Sequence, residues 1–172
     1  MKEATLFIVR KPHQGDTCVD NVLSYITSSP FADLDGIMTN EVCDDDLEQM
    51  IQDFYSVQEA VDMVNHRAMF HMVLSTRHSK VAQAVIDSGA AAILDYFTML
   101  GHQVVLVPHD GSQGNCWNYH YHIAVNPISL SGKRLLDKYE TYNNIRDYLN
   151  AHTRNSWSWR LTSPKSYQKY IY

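Results

Sequence analysis

Two short runs of apolar, mostly β-branched residues, 104–107 (VVLV) and 121–128 (YHIAVNPI), constrain this chain more than any other feature. Each is strand-sized, and the turn-rich stretch 110–118 joins them. The first runs out into Pro108 and His109, and the second is entered through His120. Strand side chains alternate, so His120 and His122 project from one face while Tyr121 and Ile123 project from the other. Two residues of rise separate the two histidines by roughly 7 Å at Cα, a spacing from which two imidazoles can converge on one cation. If the strands are neighbours, His109 arrives from the adjacent strand as a third ligand. Three neutral nitrogens on one side of a metal leave its other positions open, as catalytic centres require. The competing interpretation is that these are ordinary hydrogen-bonded histidines, and spacing alone does not decide between them.

The charge balance narrows the function. A net charge of −5 excludes a strongly basic nucleic-acid protein. Between Pro12 and His66 there is no Lys or Arg, whereas the segment after His152 carries Arg154, Arg160, Lys165 and Lys169 and no acid. A one-sided basic groove is compatible with that distribution. The 172 residues suit one domain, 1–172, with a tail of uncertain structure from about 153 to 172. The long apolar stretches are strand-sized or interrupted by Asp87 and Asp95, and Cys18, Cys43 and Cys116 follow no finger-like spacing. A cytoplasmic protein with reduced thiols and no membrane partner is the expectation.

In chain order, 5–9 (TLFIV) reads as a strand, and Asp16 and Thr17 open a helix that Pro30 stops after Ser29. Its apolar stripe is Val19, Val22, Leu23 and Ile26, which leaves Tyr25 on the flank, about 110° from the centre of the stripe. Residues 31–39 read as irregular or as a weak strand. A second helix is expected from Asp44 to about Asn65, with Asp44, Asp45 and Asp46 as dipole-complementing and capping residues. Residues 69–75 form another strand, and Ser79 opens a long helix closed by Gly101, within which Gly89-Ala90-Ala91 permits close packing. After the histidine strands, Ser131-Gly132 makes a turn and a last helix runs from about 137 to 150. Without regular βαβ alternation, the expected fold is an α/β (α+β) sandwich: a central, mostly antiparallel sheet with helices on its faces.

Laid out in this way, the chain resembles the relaxase/mobilisation nuclease family of conjugative and mobilisable plasmids, within the His-hydrophobic-His endonuclease superfamily. The resemblance rests on 21–27 (NVLSYIT), similar to the segment bearing the family's tyrosine, and on 67–76 (RAMFHMVLST), similar to a motif R-x-x-x-H-x-x-x-S-F with Thr76 in place of the aromatic. It rests further on the trailing HxHxxxN of His120, His122 and Asn126 and on the Gly132-Lys133 hairpin. All occur in family order.

The resemblance implies a relaxase fold and metal-dependent, strand-specific nicking and rejoining of single-stranded DNA at an origin of transfer. It implies Tyr25 as nucleophile, through a 5′-phosphotyrosine intermediate, and His109, His120 and His122 as ligands of a divalent ion. Mn or Mg is the expected ion, with Zn or Ni accepted in vitro. Ser75, Arg67, Arg77, Lys133 and Arg134 are the expected DNA contacts, with Asp110 and Asn126 supporting the metal ligands. Trp117 and Tyr119 are candidates for base stacking or for packing, and His71 and His102 are expected in the core or at its rim. Accessory relaxosome proteins and a coupling protein are the implied partners. Two alternatives stay open. One is a rolling-circle replication initiator, whose nucleophile follows the histidines and would be Tyr139 rather than the core-facing Tyr142. The other is a catalytically degenerate DNA-binding module of the same fold.

Overall fold

Strands that alternate apolar residues with histidine, serine or threonine can bury one face and keep chemistry on the other. The computed structural model, which describes residues 3–9, 17–61, 67–76, 82–110 and 119–162, is built on that rule. Its strands are β1 (Glu3–Val9), β2 (Met38–Asn40), β3 (Phe70–Thr76), β4 (His102–His109), β5 (His120–Ser129) and β6 (Ser156–Thr162). They form one sheet in the order β2-β4-β5-β3-β1-β6. Every pairing is antiparallel except that of β6 with β1, which is parallel. The helices are α1 (Cys18–Thr27), α2 (Leu47–Gln58), α3 (Ala82–Leu100) and α4 (Tyr139–His152). Among the described residues no helix is long and apolar enough to cross a membrane.

The two faces carry different cargo. On one, Leu6, Ile8, Met72, Leu74, Leu106 and Ile123 pack against Ile86, Ile93 and Phe97 of α3 and Tyr142, Ile145 and Leu149 of α4. On the other, Val105, Val107 and Ala124 meet Val19, Leu23 and Ile26 of α1 and Met50 and Phe54 of α2. Burying each such side chain contributes about 1.5–3 kcal/mol. A one-residue slip of β5 would turn His120 and His122 into the α3 core and Ile123 and Val125 out of it, so the register is strongly determined. The sandwich is the one expected from the sequence.

Local chemistry sets the helix ends. Asp46 caps α2, its side chain accepting from the backbone N–H groups of Glu48 and Gln49. Tyr55 on α2 donates to Asp20 on α1, tying the two helices together. Gly101 adopts φ +73° and lets the chain leave α3 directly into β4. Gly89 lies so close to the Trp157 ring that a Cβ there would stand 2.4 Å from it.

A buried amide network fastens α2 to the sheet. Asn126, fully buried, donates to the Phe54 carbonyl at 3.0 Å and to Gln103 Oε1 at 2.8 Å. It accepts from Gln58 Nε2 and from the Ile128 N–H, both at 3.1 Å. Beside it, His102 Nδ1 donates to the Asn126 carbonyl at 2.8 Å. Burial pushes the His102 imidazole below its ordinary value of 6.5, against a smaller opposing effect of that carbonyl.

Two expectations are corrected. The second helix ends at Gln58 and not near Asn65. Gln58 is buried, donating to the Ala68 carbonyl and to Asn126, which marks where the chain leaves the helix to return to the sheet. The tail, expected to be of uncertain structure, contains β6, in which Trp157, Trp159 and Leu161 alternate with polar residues beside β1. Residues 163–172 lie outside the described part, as does Ser79.

Two outcomes follow. Gly89→Ala should lower stability by about 1–3 kcal/mol through overpacking against Trp157, overriding the roughly 1 kcal/mol helix-propensity advantage of alanine; urea unfolding reads it as a lower midpoint. The His102 pKa is depressed in the folded state, so the unfolded chain takes up the proton first. The stability that His102 confers is therefore full above about pH 6.5 and is lost as pH falls below it. Urea midpoints between pH 7.5 and 5.5 should decline less steeply in His102→Asn, by at most about 1.4 kcal/mol per pH unit.

Candidate metal centre

The antiparallel pairing of β4 with β5 assembles the histidines. His109 is registered opposite His120, and Val107 opposite His122. All three rings therefore face one side, and a nitrogen from each lies within 4.8 Å of the others. They are buried, at 1, 2 and 0 % exposure. His120 Nε2 and His122 Nε2 are 3.3 Å apart, close to the separation of two nitrogens bound at about 2.0–2.1 Å to one tetrahedral ion.

The donor set fits a divalent cation. His109 Nε2 donates to the Ile26 carbonyl at 2.7 Å, which leaves the lone pair on Nδ1. That Nδ1 is buried and has no hydrogen-bond partner, an arrangement that costs about 1–3 kcal/mol unless a ligand uses it. The carbonyl is available because the residue four positions on is Pro30, which has no N–H to continue the α1 ladder. Burial holds His109 below its ordinary pKa, the Ile26 carbonyl opposing. His122 is held well below it, by burial first and then by the crowding of His71, His120 and His109. Both rings are neutral at pH 7, the state in which imidazole coordinates metals.

Tyr25 meets this group from above. It lies one residue before the carbonyl that orients His109, is 38 % exposed, and sets its ring edge-on to His122 with centroids 5.4 Å apart. A second edge contact, at 6.2 Å, is to His71. The helix-flank position expected for Tyr25 thus faces the triad. Tyr139, by contrast, stacks on Trp159 at 5.5 Å. Trp159 is registered with Leu6 on the α3/α4 side of the sheet, opposite the histidines. Tyr142 is fully buried and donates to Asp137.

The remaining expected residues divide. Ser75 is registered opposite His120 and is buried on the same face. Arg67 precedes β3 at the end away from Ser75, where it pairs with Asp137 at 3.0 Å, lies over the Phe70 ring and donates to the Val9 carbonyl. Lys133 and Arg134 follow the far end of β5, in the hairpin that pairs Ile128 with Arg134, so this geometry does not bring them to the triad. Asp110 is exposed beside His109, in a cleft it shares with Phe31 and Asp33. Asn126 directs its amide into the α2 network. Tyr119 packs: its hydroxyl donates to Asp87 of α3 at 2.9 Å. Arg77, Trp117 and Cys116 lie outside the described residues.

One residue treated as core belongs to this site. His71 is 3 % exposed, and its Nε2 lies 3.0 Å from His122 Nδ1. Strand parity carries the signal, since His71 and Ser75 are four residues apart on β3 and so share a face. The Ile26 carbonyl is legible in the same way, through the proline four positions after it.

With the geometry in place, comparison with known proteins is direct. The family model described as relaxase, MobA/VirD2-like, nuclease domain, matches residues 25–156. No curated protein and no solved structure gives a significant match. The matched span begins at the tyrosine, runs through the complete histidine triad and ends at the start of β6: the chain belongs to the relaxase family, as a MobA/VirD2-like nuclease domain.

Proposed function

We propose that this domain nicks and rejoins one strand of DNA at an origin of transfer, with Tyr25 as nucleophile and His109, His120 and His122 as the ligands of a divalent ion. The observation that carries the proposal is the seating of the Tyr25 ring on His122, with a buried, unpartnered His109 nitrogen beside it. When bound, a divalent ion supplies Lewis-acid stabilisation of the charge that builds on the oxygens of the scissile phosphate. Held below their ordinary pKa, His109 and His122 are neutral, and neutral ligands add no negative charge that would repel an anionic backbone. Tyr25 is exposed enough for its hydroxyl to reach a phosphodiester, and its place on a helix packed against the sheet fixes its approach.

The Tyr25 oxygen forms a bond to phosphorus, and the bond from phosphorus to the 3′-oxygen breaks. The phenolic proton ends, net, on that leaving oxygen. The phosphotyrosine conserves the energy of the linkage, so the released 3′-hydroxyl can reverse the step and reseal the strand. Ser75, beside His120, is the side chain in this reading that contacts the strand next to the nick. Mn or Mg is the proposed working ion, and the setting is cytoplasmic. Accessory proteins would supplement the DNA affinity of a domain with net charge −5.

The test is covalent capture. Parent protein with Mn²⁺, incubated with single-stranded oligonucleotides tiling the DNA around its own coding sequence, should give a denaturation-resistant protein–DNA adduct with one of them. Adduct formation should fall by at least about 10³-fold in Tyr25→Phe and on chelation, and should persist in Tyr139→Phe. Survival in Tyr25→Phe with loss in Tyr139→Phe would move the assignment to a replication initiator. No adduct with any oligonucleotide would favour a binding module that has lost nicking.

A further inference from the structure

Behind the triad stands a fourth imidazole. His71 on β3 is buried, its Nε2 lies 3.0 Å from His122 Nδ1, and the two rings tilt by 32° with centroids 5.2 Å apart. The contact uses the His122 nitrogen that points away from its neighbours, since His122 Nε2 is the atom facing His120. A neutral imidazole carries a single ring proton, and the nitrogen that holds it cannot also bind a metal. Two arrangements satisfy the hydrogen bond. In one, His71 Nε2–H donates to His122 Nδ1, which puts the His122 proton on Nε2 and closes that nitrogen to a ligand. In the other, His122 Nδ1–H donates to His71 Nε2, and the His122 Nε2 lone pair opens toward His109 and His120.

We propose that His71 is a positioning residue: it accepts the hydrogen bond from His122 Nδ1–H and so locks His122 in the tautomer whose Nε2 coordinates the ion. The proposal rests on reading the triad as a metal centre and extends it to a residue outside the triad. His109 has the equivalent device in the Ile26 carbonyl, which fixes its proton on Nε2 and frees Nδ1. The two ligands are thus locked in opposite tautomers by two different acceptors. Metal-bound histidines commonly have their second nitrogen held by a carboxylate or a carbonyl. An imidazole in that place, unlike a carboxylate, orients the ligand without adding negative charge, which leaves the centre more attractive to a phosphodiester. His71 also meets the Tyr25 ring at 6.2 Å, so one side chain bears on both the ligand and the proposed nucleophile.

Long-range ¹H–¹⁵N spectra of the uniformly labelled, metal-free parent protein test the lock without any catalysis. They should report His122 as the Nδ1–H tautomer, and an Nε2–H tautomer would overturn the proposal. Titration with Mn²⁺ by calorimetry gives the second readout. His71→Phe should weaken binding about 10–100-fold, while His71→Gln, whose carbonyl oxygen can accept the same bond, should stay within a few-fold of the parent. Mn²⁺ binding by a folded His71→Phe protein as tight as that of the parent would also overturn it. Should the parent bind no Mn²⁺, the metal reading would fall, and the parent spectrum would still decide whether His71 sets the His122 tautomer.

Discussion

The hydrogen bond from His109 Nε2 to the Ile26 carbonyl is the contact on which the rest of the site depends. It joins the last turn of α1 to the end of β4, through two residues 83 positions apart in the chain. Its donor is a triad histidine, and its acceptor is the residue after Tyr25. Pro30 makes the acceptor available by ending the helix without an N–H for it, and burial makes the bond strong by excluding water. One interaction therefore sets the tautomer of His109 and ties it to the helix turn that carries Tyr25.

The sheet supplies what this bond needs to be precise in space. Across the strands, His109, His120, Ser75, Thr5 and Ser158 stand in one register row on the same face, and the Thr5 and Ser158 hydroxyls lie 3.3 Å apart. The opposite face of the same strands is an apolar core under α3 and α4. Rigidity and chemistry are thus separated by side-chain parity, with the core on one face holding the polar row on the other in place. The buried amides of Asn126, Gln58 and Gln103 do the same for α2, tying that helix to β4 and β5.

Much of this was legible before the fold was known. The alternation in residues 120–123 placed His120 and His122 together, and the stripe on α1 put Tyr25 on the flank that meets them. Asp46 acted as a cap and Gly89 as a close-packing point. Proximity along the chain is a poorer guide to position than strand register. Asn126 follows the histidines by a few residues and turns its amide to α2, and Lys133 sits in a hairpin at the end of a ten-residue strand opposite from His120. Arg67 has the position of a DNA contact in its motif but closes the far end of β3 against Asp137.

By itself the sequence determined the periodicities, the breaks and the chemical inventory: strands with histidines on one face, a helix ended by Pro30, a tyrosine off the apolar stripe. These are local properties, governed by neighbours within a few residues. Only the tertiary structure decided which hydrogen-bond partner each imidazole would find. The partners of His109 and His122 come from α1 and β3, across 83 and 51 residues of chain. It likewise decided that residues 156–162 would become the parallel edge strand beside β1. Such choices depend on which surfaces the whole core leaves adjacent, and no local pattern encodes them.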